Sequence, residues 1–417
     1  MKPLFFRLPF ALFILGWIIQ VAHAQATKVA PMLQNGIWRG EIQLQGQTAP
    51  FNFEVAKSAD KTLIYLINAE DRLKLDEIEF RDDSLHVGLH IYEAELVAKV
   101  NGNQWSGYWV KSSAGKEVYR LPFQAAWGPA YRFSERPTQA LLNVSGTYDV
   151  SFTNAEGKTT PAVGLFTQKG NRLTGTFLTS TGDYRFLEGE VSGNELRLSA
   201  FSGEVTYLFK AQVSETGIVG EFWSGRSGNS KWMAKKNAKA ALPEADKLTF
   251  LKPGYDKLAF SFPDLTGKMV SLADPKYQGK VVIVQILGSW CPNCLDESEF
   301  LIPYYNKHKD KGLAIIGLAY ERSAKFDEAK LRLDKMTKRL GVTYDILLAG
   351  TIAKDNASNS LPMLNHVMAF PTTIYIDRAG KVRKIYTGFS GPSTGKYYEA
   401  FVDEFTSFVG KLLKEKE

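Results

Sequence analysis

Between Gly36 and Lys236, apolar and polar positions alternate in short runs broken by Gly, Asn, Asp and Ser. "IWRGEIQLQ", "FNFEV", "KTLIYLIN", "SLHVGLHIY", "AELVAKV" and "QWSGYWV" each place every second side chain on one face, the pattern of a half-buried strand. No segment here has a helical period, so the region is all-β. The pattern also recurs. "LDEIEFRDDSLHVGL" from Leu75 lines up with "FLEGEVSGNELRLSA" from Phe186, and "AELVAKVNGNQWSGYWV" with "VTYLFKAQVSETGIVGEFW". Upstream, "NGIWRGEIQL" matches "VSGTYDVSFT", again at an offset of about 110 residues. This predicts two related antiparallel β units, 25–140 and 141–240, joined through "AAWGPAYRFSERPTQA". The pattern leaves open whether they form two sandwiches or one larger barrel. Trp38, Trp105, Trp109, Trp127 and Trp223 are expected to pack this region's core rather than line a ligand cage.

The character then changes. A lysine- and alanine-rich stretch with Pro243 and Pro253 reads as a linker over 241–256. Beyond it, strand and helix signals alternate. "KVVIVQIL" is a continuous apolar run suited to a central strand, and "LAIIGLAY" is a second. Helical composition runs from Cys291 to about Asp310, and "KFDEAKLRLDKMTKRLG" ends at Gly341, a good helix cap. "TTIYID", "KVRKIYTG" and an amphipathic helix near Gly395 to Leu412 close a ββα tail. The prediction for 257–417 is an α/β sandwich, making the chain multidomain.

Composition excludes more than it assigns. The net charge is +7, but the 51 basic residues are scattered among 44 acids with no dense basic, aromatic-interleaved run, which argues against nucleic-acid binding. The N-terminus is more specific. Lys2 and Arg7 precede an apolar run from Leu8 to Ile19 and then Ala22-His23-Ala24, the layout of a secretory signal over 1–24, cleaved near Ala24. The run is short of the roughly 20 residues that span a bilayer. Export to an oxidising, periplasmic compartment is the expectation.

That compartment bears on "GSWCPNCLDE", which holds the only two cysteines, Cys291 and Cys294. A bridge across three residues closes too small a loop to stabilise the fold much. No second CxxC exists, and His86, His90, His308 and His366 show no paired spacing near the thiols, so no metal is expected. Leu295 after Cys294 excludes haem attachment. Redox exchange has a physical basis instead. Cys291 would stand at a helix N-terminus, where free N–H groups and the macrodipole stabilise a thiolate. Cys294, nearly one turn on, is placed to resolve a mixed disulfide, and Pro292 suits the first helical turn.

"WCPNC" after an apolar strand, "FPTTIYIDRAGKV" some eighty residues later and "FSFPDLTGKMVSLAD" upstream resemble the thioredoxin superfamily. More closely they resemble its exported TlpA/ResA-type thiol–disulfide oxidoreductases, over about 257–417. The resemblance implies Cys291 as the attacking and Cys294 as the resolving thiol, with Pro371 as a cis-proline whose loop, with Phe370 and Trp290, meets the substrate. It implies protein thiols and disulfides as partners, a membrane electron donor and no cofactor. Two departures stand out. Gln285, which cannot titrate, occupies the place where simple thioredoxins carry a buried Asp. The TlpA-type branch instead carries a Glu three residues after the second Cys, and the resemblance implies Glu297 in that place as the proton acceptor. The helix proline of the family is displaced here to Pro303. Peroxiredoxin-type thiol peroxidase chemistry is the enzymatic alternative, and a binding protein with a vestigial redox domain the non-enzymatic one. The β region is expected to bind or position a partner.

Overall fold

The computed structural model describes Met1 and residues 33–416 apart from 59, 60, 114 and 354; the segment carrying the expected signal lies outside the described residues. The alternating sequence forms two nine-stranded antiparallel sheets. In the first, strands from Gly36–Leu44 to Lys116–Trp127 lie, counted along the chain, in the order four-three-two-one-nine-eight-seven-six-five. The second, from Gly146–Asn154 to Gly228–Lys236, repeats that order until its third strand, Arg172–Thr179. There it pairs with Thr159–Lys169 on one side and Leu187–Ser192 on the other, so the second sheet closes into a barrel. The equivalent strand of the first sheet, Lys61–Asn68, continues to Asp71–Leu75, which meets no further neighbour among the described residues, and the first sheet stays open.

The equivalence reaches single residues. Trp38 pairs with Trp127 and Ile42 with Phe123; Tyr148 pairs with Lys236 and Phe152 with Trp232. Gly107 opposes Ala98, and Gly220 opposes Ala211. A β-carbon at Gly107 would meet Val97 O at 1.9 Å, and one at Gly220 would meet Lys210 O at 2.1 Å. Both units thus need glycine at the same tight strand crossing. Trp38, Trp105, Trp109 and Trp223 are buried as expected. Trp127 is not: it is 38% exposed on the last strand, its indole donating to Asn35 O. It shares the inward face of Phe123 and Ala125, but as the strand's last residue it lies at the edge of the covered core.

The segment 241–256 is tied down. Leu251 bridges to Leu364, Phe250 N donates to Asn365 Oδ1, and Thr249 is fully buried. Then comes a hairpin of β1 (Ser261–Pro263) and β2 (Met269–Ser271). The main sheet holds β3 (Val281–Leu287), β4 (Leu313–Glu321), β5 (Asp345–Thr351), β6 (Thr372–Ile376) and β7 (Val382–Thr387) in the order β5-β4-β3-β6-β7. The first three are parallel, β6 runs antiparallel to β3, and β7 runs antiparallel to β6. Helices α1 (Pro292–His308), α2 (Phe326–Leu340), α3 (Asn356–Ser360) and α4 (Lys396–Lys414) complete it. Every residue of β3 and β4 is buried, which the continuous apolar runs require of strands covered on both faces. This is the thioredoxin-like α/β sandwich.

Candidate active site

The chain leaves buried β3, turns at Gly288, Ser289 and Trp290, and enters α1 with Cys291 at the cap and Pro292 as the first helical residue. Proline costs nothing there, because a first-turn N–H has no intrahelical acceptor. Cys294 N points back at Cys291, 3.1 Å from its carbonyl oxygen and 3.2 Å from its sulfur. The two sulfurs form a disulfide, the Cα atoms 5.3 Å apart. Cys291 is 5% exposed and Cys294 wholly buried, so one sulfur alone is within reach of a substrate.

Three loops frame the pair. Phe370–Pro371 is cis, and Phe370 O lies 3.4 Å from Cys291 Sγ. The Trp290 ring meets Phe370 edge-on at 5.5 Å, and its indole donates to Tyr320 O. Glu321, at the end of β4, accepts from Ser289 N and Ser289 Oγ at 2.8 and 2.7 Å and so fixes the turn before the cysteines. Trp290, Phe370, Pro371 and both cysteines are therefore brought together. Helix α1 runs on through Pro303 without ending.

Glu297 lies on the inner face of α1, fully buried. It receives Thr373 Oγ1 at 2.6 Å and Gln285 Nε2 at 2.8 Å. Burial, which disfavours the carboxylate, pushes its pKa up to about 7; the two donors only partly oppose this. Gln285 also donates to Cys294 O and accepts from Ser298 Oγ. The glutamine therefore couples the acid to the backbone of the second cysteine. Gln285 stood out in the sequence only as a residue that cannot titrate, and Thr373 not at all; nothing local to either strand marks the acid they share.

The residues that the second β unit contributes beside the redox turn were also missed. Its loop 179–185 lies against the start of α1. A β-carbon on Gly182 would sit 3.1 Å from the Asn293 carboxamide, between the two cysteines. Arg185 grips Asp296 with Nε and Nη2, both at 2.9 Å. Burial drives the Asp296 pKa upward while the guanidinium opposes it. Asp183 accepts from Gly391 N at 2.6 Å, tying the same loop to the end of the sheet after β7. On the opposite flank, Glu204 pairs with Lys111 and with Arg322, whose guanidinium lies 5.8 Å from the Trp290 ring centre. Among the described residues no group of three or more metal-ligating side chains forms.

A disulfide at a helix cap, a cis-proline loop and a buried acid on a thioredoxin-like sheet define the class: a thiol–disulfide oxidoreductase domain. The Redoxin family model matches residues 252–400. ResA, a thiol-disulfide oxidoreductase of Bacillus cereus, is 30% identical over 148 residues, 35% of this chain and 75% of that protein. ResA of Geobacillus thermodenitrificans is 32% identical over 129 residues, and the chain spans 66% of its length and 31% of its own. The solved thioredoxin domain of a thiol-disulfide oxidoreductase from Bacteroides vulgatus is 26% identical, with a TM-score of 0.28 over 37% of this chain and 99% of that one. Through its C-terminal domain the chain belongs to the ResA family of thiol-disulfide oxidoreductases. The β region lies outside the matched residues.

Proposed function

We propose that the chain is an exported reductant or oxidant of protein cysteines, working through Cys291 and Cys294, with the β region positioning its partner. The observation that carries this is the Cys291–Cys294 disulfide at the amide-rich start of α1, backed by an acid poised near neutrality. In the reductive direction the Cys291 thiolate attacks a substrate disulfide. One substrate sulfur leaves with the electron pair of the broken S–S bond, and a mixed disulfide forms. Glu297 takes the Cys294 proton, the new thiolate attacks Cys291 Sγ, and the second substrate sulfur leaves to be protonated. Two electrons have moved, and a dithiol donor, expected at the membrane, must restore the pair. Trp290, Phe370 and Pro371 are the proposed substrate contacts.

Export is supported by the charged, apolar and small-residue succession over 1–24; no helix among the described residues is long and apolar enough to cross a membrane. The test is insulin reduction with a chemical dithiol as donor. Cys291→Ser should lower the rate at least about a thousandfold, the scale of losing a nucleophile. Cys294→Ser should instead accumulate mixed disulfides. Turnover that persists in Cys291→Ser ends the reading.

A further inference from the structure

One end of the closed barrel opens beside the redox turn. A cavity of about 380 Å³ there is walled by Phe152, Tyr184, Tyr207, Lys158, Asp183 and, from the CPNC turn, Asn293. Its position follows from strand polarity. Phe152 lies near the end of the strand Gly146–Asn154, Tyr207 near the start of Thr206–Ser214, and Tyr184 follows Gly182–Asp183. The floor is aromatic: Phe152 stacks on Tyr184 at 5.7 Å, and Tyr184 packs on Tyr207 at 5.1 Å. Deeper in, Phe177, Phe209 and Trp232 fill the barrel and are wholly buried, so the space ends at this floor.

The polar groups around it are unbalanced. Among the described residues, neither the Tyr184 nor the Tyr207 hydroxyl has a hydrogen-bond partner. Lys158 has no carboxylate within ion-pair distance among the same residues. The acid of the wall is already engaged, since Asp183 accepts from Gly391 N, Arg185 N and Ser393 Oγ. The site thus offers two phenols and an ammonium with no acceptor, above an apolar floor. Among the described residues Asn293 Nδ2, on the same wall, is a buried donor with no acceptor; such a donor is costly, and a ligand that supplies an acceptor gains what the chain leaves unmade.

We propose that the barrel mouth is a substrate subsite for a flat apolar group bearing a carboxylate, held while the attached disulfide sulfur meets Cys291. This deepens the oxidoreductase reading and rests on it. The carboxylate could be that of a small aromatic disulfide or of an acidic-aromatic segment beside a substrate cystine. The chemistry at the mouth is the same.

The experiment compares reduction of dithiobis-nitrobenzoate, an aromatic disulfide with carboxylates, and dithiodipyridine, a neutral one, by the full chain. In Tyr184→Phe/Tyr207→Phe the KM ratio of the carboxylate to the neutral probe should rise about tenfold, the factor expected for one or two hydrogen bonds. Lys158→Gln, an exposed change that does not threaten folding, should shift the ratio the same way by less. A ratio unmoved in both variants overturns the subsite while leaving the redox reading intact. A wild-type chain that reduces no disulfide, insulin included, overturns the redox reading. In that case calorimetry with nitrobenzoate decides the cavity: binding weakened in both variants supports it, and binding absent or unchanged rejects it. A cystine peptide flanked by Phe and Glu, against one flanked by Leu and Lys, then assigns the source. Discrimination between the peptides points to polypeptide, and discrimination confined to the small probes points to a free disulfide.

Discussion

The first and second β units start from the same strand order and end differently. In the second, one strand, Arg172–Thr179, serves both neighbours and closes a barrel around Phe152, Phe177, Phe209 and Trp232. In the first, the corresponding strand leads into a short hairpin, and Ile78–Arg81 remains an open edge with Phe80 exposed. The open unit therefore completes its core from outside. Phe201, from the barrel's strand Glu195–Phe201, packs on Phe51 at 4.5 Å and on Trp109 at 5.4 Å. Asn68 of the open unit clasps its backbone, donating to Phe201 O and accepting from Phe201 N. Arg132, in the connecting segment, is buried across the same seam, donating to Ile67 O and Ser199 O. One unit is self-contained and the other depends on it.

The dependence can be broken directly. Phe201→Ala should cost about 3–5 kcal/mol, the range for a buried aromatic truncation, and should raise hydrogen exchange in the strands of Phe51 and Trp109. Phe177→Ala should cost as much, yet leave those strands protected. Equal exchange in the two variants would refute the one-way dependence.

The contacts of the units with the redox domain differ as well. The barrel reaches α1 through the Arg185–Asp296 pair, whereas the open unit meets α2 through the equally covered Arg332–Glu93 pair and through surface pairs such as Lys335–Glu77 at 2.7 Å. Arg185→Ala leaves a buried acid with no opposing charge and should cost about 3 kcal/mol at pH 8, less in acid as Asp296 protonates. The measurement is denaturant unfolding at the two pH values; a loss that does not depend on pH would point to packing alone.

Asp296 and its neighbour Glu297 face opposite ways on α1, one to the barrel and one to the redox core, which gives the third contrast. The Glu297 pKa is raised, so the native state binds that proton more tightly than the unfolded chain does. Its stabilising effect is full below about pH 4.5 and is lost as pH climbs through about 7. Glu297→Gln should therefore match the wild type at pH 4 and be more stable by roughly 2 kcal/mol at pH 8, less than the full shift because an amide accepts its two donors less well. It should also slow turnover by about tenfold or more, with a flatter pH profile. A wild-type advantage at pH 8 would contradict the raised pKa. Lys335→Ala, exposed and screened, should change stability by less than about 1 kcal/mol.

Much of this was legible in the sequence. Period-two alternation marked the strands, and the repeated glycine at Gly107 and Gly220 was part of the detected repeat. "KVVIVQILGSWCPNC" announced a buried strand feeding a helix with sulfur at its cap. Glu297 could be picked out by the resemblance, which places an acid three residues after the second cysteine. Its acidity could not, because that depends on Gln285 and Thr373 arriving from two other strands. The exposure of Trp127 was lost because alternation assigns a side chain to a face without saying how far along the strand that face is covered. Asp183 and Arg185 carried no signal at all, lying in a turn more than a hundred residues from the helix they grip.

What the chain determined by itself is local: where strands and helices run, and that two thiols stand one turn apart at a helix start. Backbone geometry imposes those periods on any stretch of residues, so they can be read from neighbours alone. The closure of one β unit and not the other, the barrel rim resting on the CPNC turn and the near-neutral pKa of Glu297 were decided only in three dimensions. Each depends on groups distant in sequence excluding water from one another, and on the pairing that this exclusion forces.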